Sequence, residues 1–309
     1  VQDISFLKGV PRSVRSVMNQ SLSRGVSILI PAYNASLTIS ATLISVVLTR
    51  PLRSEVLVYI DGGETNSKVL SWLEARGRVK VFRPGYRAGV AKAMNFLIDQ
   101  ARYDIVARID ADDIALPMRY GQAIRKIRTN RADVVFSNAV LFGRGIKFFP
   151  FLPQFAYRIP TDLAPYFLQI VNPFVQSTMV ANKKALLDVG GYLDSLSEDY
   201  ELILRLASKK LRLERTRSYG VLYRVHPSQL SSQTNFQSKV DDDPLVQAGL
   251  ENLRSKLKSE DAEHDLGQSE EEIEKYLESR SLGFLIRKRF LNSLAEIILK
   301  LSNLQDRSR

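Results

Sequence analysis

Between residues 26 and 142 the chain repeats one pattern: a short apolar run, then a stretch with helical spacing. The runs are VSILI (26–30), EVLVYI (55–60), VKVF (79–82), DIVARI (104–109) and DVVFSNAVLF (133–142). Nearly continuous apolar runs of this length suit strands buried on both faces, as in a parallel sheet. Pro31 is expected to end the first strand, and Asn34 or Ser36 to cap a helix with Leu37, Leu43, Ile44 and Val47 as its apolar stripe. KVLSWLEA and AGVAKAMNFLIDQA supply two more helices, the second with Val90, Met94, Leu97, Ile98 and Ala101 on one face. Pro117 suits the first turn of a fourth, LPMRYGQAIRKI. Strands alternating with helices predict an α/β layered sheet.

Residues 143–175 break the alternation with five prolines and many aromatics, and read as a loop region facing substrate. Order returns with QSTMVANKKALLDVGGY, a helix at SEDYELILRLASKK and two short strands at LRLERT and YGVLYRV. From residue 236 the composition changes. Residues 241–278 hold 4 basic and 13 acidic side chains, and Ser269 and Glu272 stand at capping-box spacing. Residues 279–309 hold 7 basic and 2 acidic side chains in an amphipathic pattern. The expected organisation is an N-terminal extension (1–24), an α/β body (25–235) and a helical C-terminal extension (236–309), acidic and then basic.

The net charge is +11, and residues 26–235 alone account for that value. Such a body suits anionic nucleotide, anionic lipid headgroups or nucleic acid as a partner. Cysteine is absent, which excludes a disulfide framework and a thiolate metal site. No segment approaches the roughly 20 apolar residues of a membrane span, and the first residues hold no apolar core of signal-peptide length. The expectation is a soluble or membrane-peripheral chain.

The stretch YDIVARIDADDIALP crowds Asp110, Asp112 and Asp113 at the end of a buried strand. In open α/β sheets ligands bind beyond the carboxyl ends of the strands. Carboxylates there, without thiols, favour a hard cation such as Mg2+ or Mn2+ that also bridges substrate phosphates. The alternative is a solvated acidic turn capping the next helix. Glu198 and Asp199 open a helix behind Ser197. They serve either the helix dipole, worth about 0.3–1 kcal/mol, or as a base at a pocket rim. His226 ends an apolar strand and is either structural or a companion ligand to the carboxylates.

Taken together and in order, VSILIPAYN, DGGETNS, AGVAKAMNFLIDQARYDIVARIDADDIALPMR, NPFVQSTMVANKKALLDVGGY, SEDYELILRL and YRVHPSQLS resemble the inverting nucleotide-sugar glycosyltransferases of family 2. The resemblance covers about residues 25–232. It implies a GT-A (Rossmann-like) fold: a mostly parallel sheet flanked by helices. It also implies transfer of a sugar from a nucleotide-diphosphate donor, UDP by resemblance, to a hydroxyl of a glycan, lipid-linked saccharide or protein. The linkage would be inverted from α to β. By position, Pro31, Ala32, Tyr33 and Asn34 would form the nucleotide turn and Asp61 would accept from uracil. Lys92 would approach the diphosphate, and Asp110 with Asp112 would form the DxD pair, Asp112 being the direct ligand. Asp113 would support the loop or touch donor sugar, and His226 would complete the metal or diphosphate site. Asp199 would be the base, with Glu198 orienting it or touching acceptor. Two positions depart from the pattern: Ile60 precedes Asp61 where an acid is common, and Gln176 replaces a frequent His.

The rivals are a nucleotidyltransferase and a non-catalytic nucleotide- or nucleic-acid-binding protein. A dinucleotide-binding oxidoreductase is disfavoured, because PAYNAS stands where its glycine-rich fingerprint would follow the first strand, and the P-loop pattern G-x-x-x-x-G-K-[ST] is absent. Nucleic acid is not an expected partner, since the basic residues are scattered and no RNP-type or zinc-finger pattern is present. Residues 279–309 either pack on the body or a second subunit, or lie on a membrane surface through Arg287, Lys288 and Arg289. A lipid-linked acceptor would then place the protein peripherally at the cytoplasmic face.

Overall fold

The computed structural model describes residues 25–143, 151–153, 158–226 and 236–260. The expected extension 1–24, the Ser269–Glu272 capping box and the amphipathic segment 279–309 lie outside the described residues. One twisted layer organises the rest. Strands β1 (Val26–Ala32), β2 (Ser54–Ile60), β3 (Lys80–Phe82) and β4 (Ile105–Arg108) run parallel in the order β3-β2-β1-β4. Each connection carries a helix: α1 (Ile39–Thr49), α2 (Lys68–Ala75) and α3 (Val90–Gln100). The sheet continues from β4 through β8 (Val180–Asn182) to β6 (Val134–Gly143), β9 (Leu213–Val225) and β5 (Ile114–Ala115), with β7 (Phe151–Pro153) on β6. β8 is antiparallel to both β4 and β6, while β9 is parallel to β6. The α/β sheet expected from the apolar runs is therefore present, with antiparallel strands joined to its parallel half.

Alternate residues of each central strand face one core. Ile28, Ile30, Val58 and Val135 meet Ile39, Leu43 and Val46 of α1, Leu70 and Leu73 of α2, and Ile124 of α4 (Gly121–Arg128). α3 packs on β1 and β2 through Met94 and Leu97, which are fully buried and do not join that core. Truncating a side chain such as Leu43 to alanine would cost about 2–5 kcal/mol, because the lattice around it relaxes only in part. After β6 come α5 (Ala164–Leu168), the 3-10 turn Gln176–Thr178, α6 (Lys183–Asp188) and α7 (Glu198–Ser208). α8 (Phe236–Asp241) and α9 (Pro244–Glu260) follow β9. The compact unit runs to Lys256. Asp243 accepts from the Ser195 hydroxyl and Leu196 N–H ahead of α7, and Lys256 Nζ donates to the Ser208 carbonyl at its end.

Several local expectations differ from the structure for identifiable reasons. β1 does not stop at Pro31 but runs through it to Ala32. The Leu29 carbonyl accepts from Ile109, so odd residues of β1 face β4; β1–β4 pairing ends at Leu29, and no ladder bond is lost at Pro31. Asn34 and Ser36 do not cap α1, whose N-cap is Thr38. They bind the turn after β2 instead. The buried stripe of α1 is Ile39, Leu43 and Val46, while Leu37 and Ile44 are exposed. Pro117 stands in a turn before α4, not in its first helical turn, because Ile114 and Ala115 are drawn out as β5 against β9. The two short strands expected at 211–225 are one strand, β9, with irregular register opposite Asn138.

Candidate active site

The site lies beyond the carboxyl ends of β1, β2 and β4, and begins with two turns that lock together. Asn34 adopts the left-handed region (φ 49°) and its Oδ1 accepts from Glu64 N at 3.0 Å. Ser36 Oγ donates to the Glu64 carbonyl and accepts from Asn66 N. Gly63, also at positive φ, is required here: a Cβ on it would stand 2.2 Å from Asn34 Oδ1. Asp61, at the end of β2, is buried, and its carboxylate accepts from Ala88 N at 2.6 Å and Gly89 N at 3.0 Å. It thereby fixes the approach to α3. The guanidinium of Arg87 lies 4.2 Å from the ring centre of Tyr33.

The acidic loop is held from three sides. Ile109 N donates to Leu29 O and Asp110 N to Ser177 Oγ at 3.1 Å. Arg119, almost fully buried, donates to the carbonyls of Arg108 and Ser177. The end of β9 closes over the loop. Arg224 N donates to Asp113 Oδ1 at 2.8 Å and Arg224 Nε to the Asp112 carbonyl at 2.8 Å. His226 Nε2 stands 3.2 Å from Asp112 Oδ2. Burial, then the neighbouring charges of Asp112 and Asp110, pushes the Asp113 carboxyl well up, and its Oδ2 has no partner. Asp112 is raised by burial and by Asp110, against the pull of His226.

Arg108, the last residue of β4, joins this loop to α7. Its Nε donates to Asp110 Oδ1 at 2.9 Å, and its terminal nitrogens donate to Glu198 Oε1 at 3.2 and 3.3 Å. Burial raises Glu198 to about 7, with Arg108 pulling down and Asp199 and Asp110 pushing up. Asp199 turns the other way. Its Oδ1 accepts from Ser197 Oγ and Tyr200 N, and its Oδ2 lies 3.5 Å from Asn172 Nδ2. The Ser197 side chain thus binds Asp199 rather than capping the helix backbone. Gln176 Nε2 donates to the Tyr192 hydroxyl, while its buried Oε1 has no partner.

A cavity of about 950 Å3 gathers most of these groups. It is lined by the turn Pro31, Ala32, Tyr33 and Asn34, by Asp61, by Asp110 and Asp112, and by His226. Asp113 is buried, bonded to the Arg224 amide, and is not among the cavity's lining residues. Glu198 meets the cavity through Arg108, which lines it. Lys92 is not brought in: it is exposed on α3 and does not line the cavity. Three residues were missed. Arg108 and Arg224 line the cavity, and Ser177 holds Asp110 from below. An arginine at the end of an apolar run is a signal for the first; the others depend on contacts across 67 and 112 residues.

Among the described residues no three His, Asp or Glu side chains converge as a complete metal cage. Asp112 and His226 do form a facing carboxylate–imidazole pair at the cavity, with burial and the Asp110 charge raising the Asp112 carboxyl. A carboxylate oxygen and an imidazole nitrogen are donors of the kind that would hold a divalent cation beside phosphate and water oxygens.

The family model for glycosyl transferase family 2 matches residues 27–191. The chain belongs to that family. An uncharacterized glycosyltransferase of Haemophilus influenzae is 29% identical over 163 residues, 51% of this chain and 59% of that one. The O-antigen biosynthesis glycosyltransferase WbnJ of Escherichia coli is 25% identical, over 56% of this chain and 68% of its own. The E. coli UDP-Glc:alpha-D-GlcNAc-diphosphoundecaprenol beta-1,3-glucosyltransferase WfgD is 32% identical over 115 residues, 37% of this chain and 45% of its own. The chain thus spans about half to two thirds of the length of these relatives. The fold matches Staphylococcus aureus TarS 1-349 in complex with UDP-GlcNAc, with TM-score 0.57 at 18% identity over 73% of this chain and 66% of that one. It also matches GalNAc-T7 with UDP, GalNAc and Mn2+, with TM-score 0.54 at 16% identity over 70% and 47%. The GT-A fold of this family-2 member is thereby established.

Proposed function

We propose that this protein transfers a sugar from a UDP-sugar to a hydroxyl of a lipid-linked saccharide in polysaccharide biosynthesis, with inversion. One observation carries the reading. The end of β9 latches onto Asp112 and Asp113 at a cavity that also presents the β1 turn and Asp61. A volume of about 950 Å3 suits a nucleotide-sugar. The names of relatives that use UDP-Glc with GlcNAc-diphosphoundecaprenol support the donor and acceptor class.

Pro31 to Asn34 would line the uridine, and Asp61 would hold the turn beside it. Its carboxylate already serves Ala88 and Gly89, so uracil would share an occupied oxygen. Asp112 and His226 would hold Mn2+ or Mg2+, with Asp110 beside them. When bound, the cation offsets the negative charge that develops on the leaving diphosphate. Arg224 at the cavity, and Arg87 beside Tyr33, would approach phosphate oxygens, the role first expected of Lys92. Asp199 would take the proton from the acceptor hydroxyl. It faces Asn172 in the loop region expected to face substrate, while Glu198 faces the donor side through Arg108. A positioned base typically contributes about 10²–10⁴-fold. No helix among the described residues is long and apolar enough to cross a membrane. A lipid-linked acceptor would therefore be met by peripheral association at the cytoplasmic face.

The test is calorimetric titration with UDP-sugars in Mn2+, with and without EDTA, followed by transfer assays. Asp199→Asn is expected to bind donor normally and lose transfer at least about 10²-fold. Wild-type turnover in that variant would remove Asp199 as the base. Donor binding unaffected by EDTA would remove the metal.

A further inference from the structure

We propose that α1 is the membrane-contact face of this protein and lies along an anionic lipid surface. Ile44 and Leu48 are exposed one turn apart on α1, and Leu37 in the turn before the helix and Leu52 in the loop after it are exposed as well, Leu48 at 79% and Leu52 completely. A surface helix normally turns such a ridge into the core. Here the core positions are already filled by Ile39, Leu43 and Val46. α2 lies alongside, joined through the Ser40–Ser67 hydroxyl contact at one end and Arg50 to the Arg78 carbonyl at the other. It adds Trp72, more than half exposed, with Arg76 stacked 4.0 Å from its ring centre. Tryptophan beside arginine is the composition of a membrane interface.

Charge decides between lipid and other occupants. The ridge ends at a cleft of about 560 Å3 lined by Arg50, Arg78, Lys80 and Arg102. Of its two carboxylates, Glu74 is taken by a bidentate pair with Arg83, and Glu55 accepts from Ser27 Oγ and Arg102 N. Burial, and then the neighbouring charge of Arg78, lowers the Arg50 pKa. Among the described residues neither guanidinium meets a carboxylate. An apolar ridge ending in uncompensated guanidinium groups fits acyl chains and phosphate headgroups together. At the other end, Leu37 lines the donor cavity, so a helix lying flat on lipid would bring the cavity mouth to the membrane plane. The inference does not depend on the donor, metal or base assignments above.

The test is co-sedimentation of the full chain with phosphatidylcholine vesicles, with and without about 30 mol% phosphatidylglycerol. Wild type is expected to bind the anionic vesicles and not the neutral ones. Leu48 and Leu52 are exposed, and Arg50→Gln/Arg78→Gln keeps polar side chains at one half-buried and one exposed position. Both double variants, Leu48→Gln/Leu52→Gln and Arg50→Gln/Arg78→Gln, should therefore stay folded, which melting curves check, and keep transfer to a soluble acceptor. Each should weaken vesicle binding by about tenfold or more. Equal binding by wild type and both variants overturns the proposal, as does absence of wild-type binding. Sedimentation velocity covers the remaining occupant: loss of self-association in the variants with vesicle binding unchanged would make the ridge a contact between copies instead.

Discussion

Glu198 sits at the N-terminus of α7, where the dipole favours its charge, yet burial holds its carboxyl up at about 7. A carboxyl raised above its unfolded value binds more protons folded than unfolded. Its stabilising contribution is complete below about 4.5 and is lost as pH rises through about 7. Glu198→Gln is neutral at every pH, so wild type and variant should have similar stability at pH 5. At pH 8 the variant should gain relative to wild type, on the order of 3 kcal/mol from the size of the shift. Denaturant midpoints at the two pH values check this; a difference that does not change with pH would show that Arg108 keeps Glu198 ionised throughout. Asp110 and Asp112 could be picked out because carboxylates at the end of an apolar strand have no packing role there, and both line the cavity. Arg108 shows in the sequence only as an arginine ending an apolar run; its pairing depends on Glu198 arriving 90 residues later. The sequence also credited Lys92 with a phosphate role that α3 turns to solvent.

The latch between β6 and β9 makes the element scale equally specific. Gly143, the last residue of β6, pairs with Val225 and has φ 122°. A Cβ there would stand 2.4 Å from the Val225 carbonyl oxygen, a backbone atom with little room to move. Val225 lies between Arg224 and His226, so any shift reaches the groups on Asp112 and Asp113. Gly143→Ala should cost about 1–3 kcal/mol and raise the donor Kd more than it lowers kcat. Thermal melts with donor titration decide it; a destabilised protein with wild-type donor affinity would mean that the end of β9 does not set the site. The strands of the parallel half could be read because continuous apolar runs have few other uses. β5 could not, because Ile114 and Ala115 become a strand only through Leu222 and Val221 of β9. Nor could the continuity of β9, where Arg217 and Ser218 interrupt the apolar pattern while the backbone runs on.

For the whole molecule the relevant quantity is the sign of its field. The chain carries +11, concentrated over residues 26–235, while its acidic loop presents Asp110 and Asp112 to the cavity. An anionic donor approaching those carboxylates meets local repulsion, which Arg108 and Arg224 at the cavity oppose. The distant basic residues add a longer-ranged attraction that salt removes first. The Debye length falls from about 30 Å at 0.01 M to about 8 Å at 0.15 M, short enough to screen the far charges but not hydrogen-bonded contacts within the cavity. Raising KCl across that range should therefore lower kcat/KM for the nucleotide-sugar by about threefold or more and leave kcat nearly unchanged. An uncharged analogue of the donor should show no such dependence. Steady-state rates at fixed divalent-metal concentration measure both parameters. A kcat that falls in step with kcat/KM would place the salt effect on the catalytic groups, and a flat kcat/KM would mean that the basic body serves a partner other than the donor.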